Sequence, residues 1–447
     1  MDGTRAMSTI DVGATLDAGR WSGYQKMLVA VTALTIVLDG FDNQVIGIAL
    51  FPLMEEWGAP RAAFAPVLAA GMVGMMVGGA IGGWLGDRVG RRTALAASVG
   101  LFGALTALVP LVDTVGALGA LRFLTGLGLG GAMPNSAALA SEYVPARHRP
   151  FAVTLTIVCI PIGGTLAGLV GAQMLPAFGW RALFLVGGLV PLALAIALLK
   201  LLPESPRYLA RHPSRWPELA ALLRRLGHAV PAEATFGDAG ETRLEHPSPR
   251  VLLRPEFRHD TLALFASFFF CLLSAYVGVN WVPSMLAGAG FDVGVASNGL
   301  AAFNIGGVVG AIAGAAAIGR IGSRAAMLTM AAGAVGGAAA MAMLPLTGQS
   351  ALAVLAMLAW TGGLINAVQS TMYALAAHVY PTAIRATGVG TTVAVGRMGG
   401  VLSTYAGSWA LDTGGPSRLF ALLAVAMTMV CVALASVRRH IGYDRRR

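Results

Sequence analysis

The stretch YQKMLVAVTALTIVLDGFDNQVIGIALFPLM, Tyr24 to Met54, decides how this chain is read. It is apolar over a length that crosses a bilayer as a helix, yet two aspartates, Asp39 and Asp42, sit in its middle. Ionisable side chains are costly in hydrocarbon and are rarely placed there without a task. A helix starting near Tyr24 and rising 1.5 Å per residue lifts the pair roughly 22–27 Å, close to the midplane. Three residues apart, the two acids share one helix face. Burial and mutual repulsion both oppose two full charges there. A carboxyl held in this way can take a proton on one side and lose it on the other. The competing reading is an acid locked in an ion pair that only positions helices.

Similar apolar runs recur along almost all of the 447 residues, of which 56% are hydrophobic, 12% charged and 59 are glycine. Mean hydropathy is +0.72. A soluble globular chain carries about 25% charged residues. In lipid the backbone must satisfy its own hydrogen bonds, leaving helices or a closed barrel, and these runs lack the alternation of barrel strands. The fold class is therefore all-α and polytopic, with about twelve spans expected at 24–54, 61–86, 92–111, 115–143, 149–176, 179–202, 259–287, 294–319, 323–345, 349–379, 384–411 and 414–437.

The net charge of +10 raises the question of nucleic acid, but the basic residues cluster in every second loop. Arg88, Arg91 and Arg92 follow the second span, Arg147 and Arg149 the fourth, a dense set from Arg207 to Arg258 the sixth, and Arg320 and Arg324 the eighth. Arg438, Arg439 and Arg445 to Arg447 end the chain. That pattern is topological and puts both termini in the cytoplasm of an inner-membrane protein, with lipid and not nucleic acid as its surroundings. Residues 1–23 are then a polar cytoplasmic tail and 24–202 a six-helix bundle. Residues 203–258 form a cytoplasmic linker with a surface helix at Trp216–Leu226, 259–437 a second six-helix bundle, and 438–447 a basic tail. Cys159, Cys271 and Cys431 are odd in number and lie in apolar spans, so they read as packing residues.

The halves echo each other at an offset of about 232–236 residues. Gly90 and Arg92 match Gly322 and Arg324, Val144-Pro145 with Arg149 matches Tyr380-Pro381 with Arg385, and Gly163-Gly164 matches Gly399-Gly400. Two parallel six-helix repeats place a cargo site between the halves near the midplane. The echo fails at Asp87, which faces Gly319.

Other polar groups in spans extend the candidate site. Arg122, in the fourth span, lies within roughly 10 Å of Asp42 in depth, and a buried guanidinium needs a partner. Either aspartate fits, as a static pair or as a coupling switch released by protonation. Arg397, the one cation in the middle of the second half, can take a carboxylate on its fork or pair with an acid elsewhere. Glu142 and His378 hold matching places near the ends of spans four and ten, suited to a gate, to a proton path or to a purely structural role. Tyr276, Asn280, Trp281, Asn304, Gln369 and Tyr373 suggest a pocket wall, each alternatively a hydrogen bond between helices. The run Gly126-Leu-Gly128-Leu-Gly130-Gly131 contains a G-x-G-x-x-G match, but inside an apolar span it reads as helix packing, not a dinucleotide loop. No metal-ligand spacing and no nucleophile elbow appear, so no metal, cofactor or enzyme activity is expected.

Gly83-Trp-Leu-Gly-Asp87-Arg88-Val-Gly90-Arg91-Arg92 resembles the loop signature of the major facilitator superfamily, and Pro203-Glu204-Ser205-Pro206-Arg207 is similar to a signature of its sugar and organic-acid branches. Asp39-Gly40-Phe41-Asp42 resembles the D-G-x-D motif of the aromatic acid:proton symporter family, as do Arg122 with Gly126 and Gly130, Tyr380-Pro381 through Arg385-Ala-Thr-Gly388, and Gly396-Arg397. The resemblance implies uptake of a benzoate- or hydroxybenzoate-like acid with protons; a monomer is expected. It implies that Asp39 and Asp42 are needed, and that Asp87 and Arg88 belong to a gating loop; Arg92, His378 and Arg385 are further candidates for gating. Gly319 and Ser323 replace the expected acid and base of the second loop, which argues against a symmetric latch. A proton-coupled exporter, a carrier of another organic acid or sugar-like metabolite, and a non-transporting sensor are the competing classes. The span-five sequence Ile160-Pro161-Ile162-Gly163-Gly164 only partly resembles an exporter motif, and the linker holds no recognisable signalling domain.

Overall fold

The computed structural model describes residues 9–231, 234–237, 248–344, 346, 350–381 and 384–442. Arg445 to Arg447 and the remaining parts of the linker and N-terminal tail lie outside the described residues. A short strand β1 (Thr9–Asp11) and helix α1 (Val12–Ala18) precede the first long helix. The long helices of the first half are α2 (Gly23–Trp57), α3 (Arg61–Val89), α4 (Arg91–Leu108), α5 (Val115–Glu142) and α6 (Arg149–Leu201). The linker carries α7 (Pro206–Ala210), α8 (Trp216–Arg225) and β2 (Thr235–Gly237). The second half is α9 (Pro255–Gly288), α10 (Val293–Ile321), α11 (Ser323–Met343), α12 (Ala351–Val379) and α13 (Arg385–Ser436).

Ten of these helices are long and apolar enough to cross a membrane. Two of them, α6 and α13, turn at Gly179 (φ 72°) and Gly415 (φ 60°), in the left-handed region that favours glycine. Each is therefore two spans, which makes twelve. Local sequence sets the helix starts. At α2 the Ser22 side chain accepts from the Gln25 amide while the Gln25 side chain accepts from the Ser22 amide, a reciprocal cap.

Glycine sets the spacing between helices. A Cβ at Gly74 or Gly78 would fall 2.1 Å from the carbonyl oxygen of Phe123 or Leu127, so α3 lies directly on the backbone of α5. The second half repeats this contact: a Cβ at Gly306 or Gly310 would fall 1.9 or 2.1 Å from the carbonyl oxygen of Ala359 or Gly363, joining α10 to α12. Gly306 follows Gly74, and Gly310 follows Gly78, by 232 residues. The pseudo-repeat is thus a repeat of contacts as well as of letters. Gly126 and Gly130 pack on α3 and Gly128 on α4, so the G-x-G-x-x-G run serves helix packing.

The halves meet from the midplane to the face opposite the chain termini, here called the far side. A Cβ at Gly47 (α2) would lie 2.6 Å from the Val279 carbonyl oxygen (α9). One at Gly168 (α6) would lie 2.6 Å from the Ala301 amide nitrogen (α10). Further out, Arg61 at the start of α3 donates to Asp412 on α13 at 3.0 Å.

Two features on the termini side were not legible in the sequence. Residues 9–18 are not a free tail: β1 pairs with β2 in parallel register, Ile10 opposite Phe236. Val12 and Leu16 join Leu209, Leu219, Leu222, Leu223 and Phe236 in a small apolar cluster, and Asp17 pairs with Arg149 at 2.5 Å. The chain beyond α13 also docks. The Arg438 amide donates to Asp260 at 2.7 Å, and the Ile441 amide donates to the Ser323 hydroxyl at 2.8 Å. The same hydroxyl lies 3.1 Å from His440 Nδ1, whose Nε2 lies 3.2 Å from the Leu434 carbonyl oxygen. Ser323 and Gly319 replace the acid–base loop of the first half, and His440 and Ile441 dock there on Ser323.

Two outcomes follow for the fold. Gly78→Val forces a side chain into the Leu127 backbone and should cost about 1–3 kcal/mol of stability. Gly83→Val, with open space around it, should cost little; thermal unfolding in detergent separates the two. Burial lowers the pKa of His440 below 6.5, with Arg324 and His378 acting in the same direction against Asp260 and the Leu434 carbonyl. The unfolded chain therefore binds this proton more readily than the folded one. The tail dock should be intact above about pH 6.5 and weaken as pH falls through the lowered folded value. Amide exchange at residues 438–441, corrected for its intrinsic pH dependence, should show this loss, and His440→Gln should remove it.

Candidate functional site

A cavity of about 980 Å³, counted with its open mouth, lies between the halves. The first half lines it with Asp39, Asn43 and Gln44 from α2, Met75 from α3, Met133 from α5, and Ile160 and Pro161 from α6. The second half adds Tyr276 from α9, Asn304 from α10, Asn366, Gln369, Ser370 and Tyr373 from α12, and Arg397 from α13. The α12 set follows helical spacing, which aims one polar stripe inward.

The two aspartates have different surroundings. Asp42 is fully buried within the first half; its carboxylate accepts from Thr106 Oγ1 at 2.5 Å and from Arg122 Nη1 at 3.2 Å. Of the two partners open to Arg122 on sequence, the structure selects Asp42, and Thr106 of α4 is a third member that sequence reading missed. Asp39 faces the cavity, 4% exposed, and its Oδ1 has no hydrogen-bond partner among the described residues. The glycine between them has its own task. A Cβ at Gly40 would fall 2.3 Å from the Ile160 carbonyl oxygen, so α6 crosses α2 at that point. The motif therefore combines a cavity acid, a helix crossing and a sealed acid within four residues.

Arg397 enters the cavity half-buried, from the opposite half. Its Nη1 donates to the Met75 carbonyl oxygen at 3.4 Å, and its Nη2 lies 4.0 Å from the Met133 sulfur. It forms no ion pair among the described residues. This guanidinium and Asp39 line the same cavity from opposite halves.

The remaining candidates divide cleanly. Tyr276, Asn304, Gln369 and Tyr373 line the cavity with Arg397. Asp42, Asn280 and Trp281 do not, for different reasons. Asp42 is turned into the first half by Arg122. Asn280 and Trp281 lie beyond the cavity toward the far side, where α9 meets α2 at Gly47 and the Trp281 ring fills the space left by Gly407. Glu142, at the end of α5, accepts from the Ser205 hydroxyl after α6, away from the cavity. Asp87 pairs with Arg91 at 2.6 Å, and Arg88 stacks over Trp84 at 4.5 Å. The Arg92 amide donates to Glu204 at 2.9 Å, and Glu204 lies against Gly90, whose φ is 103°. These contacts bind the loop to its own half. His378 and Arg385 are exposed at the termini side, and Arg385 reaches the Tyr380 carbonyl oxygen at 3.5 Å.

Sequence reading missed Asn43, Gln44, Asn366 and Ser370. A signal was present: Asn43 and Gln44 continue the polar break at Asp39–Asp42, and Asn366 and Ser370 fall on the stripe of Gln369 and Tyr373.

Residues 32–404 match the family described as the Major Facilitator Superfamily. The gallate transporter of Pseudomonas putida is 35% identical over 428 residues, 95% of this chain and 94% of that protein. The 4-hydroxybenzoate transporter PcaK of Pseudomonas aeruginosa is 35% identical over 411 residues, 92% of this chain and 91% of that one. A solved structure, the partially occluded inward open conformation of the xylose transporter XylE from E. coli, superposes with a TM-score of 0.70 at 17% identity, over 92% of this chain and 97% of that chain, a likeness of fold.

Removing one member of a buried ion pair leaves an uncompensated charge. Arg122→Met should therefore cost about 3–5 kcal/mol, and adding Asp42→Leu should restore much of it. Unfolding of both variants in detergent checks the order; equal stability of the single and double variants would contradict it.

Proposed function

Because this chain belongs to the Major Facilitator Superfamily, it is an integral membrane transporter and not an enzyme, and we propose that it imports an aromatic carboxylate of the benzoate or hydroxybenzoate class together with protons, by alternating access. The observation that carries this reading is Arg397 in the cavity, held by one long bond to a carbonyl and sharing that cavity with Asp39, whose Oδ1 has no hydrogen-bond partner among the described residues. The relatives named above, transporters of gallate and of 4-hydroxybenzoate, point to the same cargo.

In the proposed mechanism, the cargo carboxylate and the Asp39 carboxylate are rival counter-ions for one guanidinium. Cargo binds Arg397 while Asp39 carries a proton. Loss of that proton toward the cytoplasm creates a charged Asp39, which competes for Arg397 and expels the anion. The proton also offsets the cargo's charge, against which the membrane potential would otherwise act at about 2.3 kcal/mol per 100 mV. Tyr276 and Tyr373 offer ring faces and hydroxyls to an aromatic cargo, and Phe268 braces Tyr373 edge-on at 5.3 Å. Asp42 with Arg122 keeps α2 in place behind the site. In this reading the termini side, with its basic loops, faces the cytoplasm of the inner membrane, and the protein works as a monomer, a reading supported by one chain contributing both halves of the cavity.

Asp39→Asn should abolish uptake driven by an imposed pH gradient in proteoliposomes but retain exchange of labelled for unlabelled acid, since a neutral residue 39 still lets Arg397 bind the anion. Gradient-driven uptake at the parental rate would reject the proton role. Arg397→Gln should raise the KM for the acid by about tenfold or more, the loss carried by hydrogen bonds to a charged group.

A further inference from the structure

Gln44 and Asn304 line the cavity from opposite halves and bond to each other. Asn304 Nδ2 donates to Gln44 Oε1 at 2.8 Å, and Gln44 Nε2 faces Asn304 Oδ1 at 3.4 Å. Both side chains are buried, 3% and 2% exposed. A reciprocal amide pair satisfies two donors and acceptors that would otherwise be stranded, and stranding them is costly. The pair sits at the start of the closed seam. Beyond it come the approach of Gly47 to Val279, that of Gly168 and Gly171 to Ser297, and the Arg61–Asp412 ion pair.

The surrounding helices are shaped for this pair. A Cβ at Gly164 on α6 would fall 2.2 Å from Gln44 Nε2, so glycine there provides the berth from which Gln44 reaches α10. Asn304 is held from its other side, its Nδ2 also bonding the Leu300 carbonyl oxygen at 2.9 Å. One amide is aimed by a missing side chain and the other by its own helix.

We infer that Gln44 and Asn304 are positioning residues for transport: their amide pair is the clasp that locks the far side shut directly over the cargo cavity. The clasp forms only when the halves close, and it breaks when the far side opens. Cargo entering from the far side therefore passes between these two amides before they join above it. The inference rests on the transporter reading in taking the cavity as the cargo site, but it does not depend on which acid is carried.

The test reads closure without any cargo. In the full chain carrying Cys159→Ala, Cys271→Ala and Cys431→Ala, Ser297→Cys places one thiol in the seam at a position 1% exposed. A membrane-impermeant maleimide added from the far side should label it slowly. Gln44→Leu should raise the labelling rate roughly fivefold, the shift in equilibrium that one net hydrogen bond carries. Asn304→Leu reads the same clasp from the other half, so poor folding of one variant leaves the other decisive. Gly164→Ala keeps both amides but removes the berth, and it should act in the same direction. The exchanged pair Gln44→Asn with Asn304→Gln should return labelling to the parental rate. Parental labelling in both leucine variants, or an exchanged pair that labels like them, would overturn the clasp. A normal labelling pattern with no uptake of any aromatic acid would instead overturn the cargo assignment and leave the clasp standing.

Discussion

The cost of an unbalanced charge in hydrocarbon organises this molecule. Along α2 the chain places two carboxyls within one turn, and the structure resolves them in opposite ways. Asp42 receives a guanidinium and a hydroxyl and is sealed into the first half. Asp39 has no hydrogen-bond partner at Oδ1 among the described residues and faces the cavity between the halves. Arg397 completes the arrangement from the second half as a cation without an ion-pair partner among the described residues. A pair that is complete holds helices; a pair kept apart can do work.

That arrangement is possible because the helices approach so closely. Gly40 and Gly163 let α2 and α6 cross at backbone contact, and Gly74 and Gly78 do the same for α3 and α5. Small residues at such crossings replace the hydrophobic drive that helices lack in lipid. The same economy recurs at α10 and α12, which is why the two halves share a framework while differing in their polar residues.

The termini side is less symmetric than the core. In the first half, Glu204 gathers the loop around Gly90 and the Arg92 amide. The second half has no acid at residue 319, and Ser323 instead binds the chain beyond α13. The N-terminal residues pair with the linker as a strand. Residues 9–18 and 438–441 thus both dock on the termini side, each to its own half.

Sequence alone determined the all-α membrane architecture, the span count and the repeat, because runs of apolar residues in lipid leave the backbone few choices. It also marked Asp39, Asp42, Arg122 and Arg397, because a charge in an apolar run is conspicuous whatever surrounds it. Only the tertiary structure decided which acid Arg122 takes, that Trp281 and Asn280 lie outside the cavity, and that Gln44 reaches Asn304 across the seam. Those outcomes depend on how far helices rotate and how closely they cross, and this is set by contacts between residues far apart in sequence, from 64 positions for Thr106 and Asp42 to 260 for Gln44 and Asn304. The docking of residues 9–18 and 438–441 was hidden for a related reason: short segments carry little periodicity, and their structure comes from the surfaces they meet.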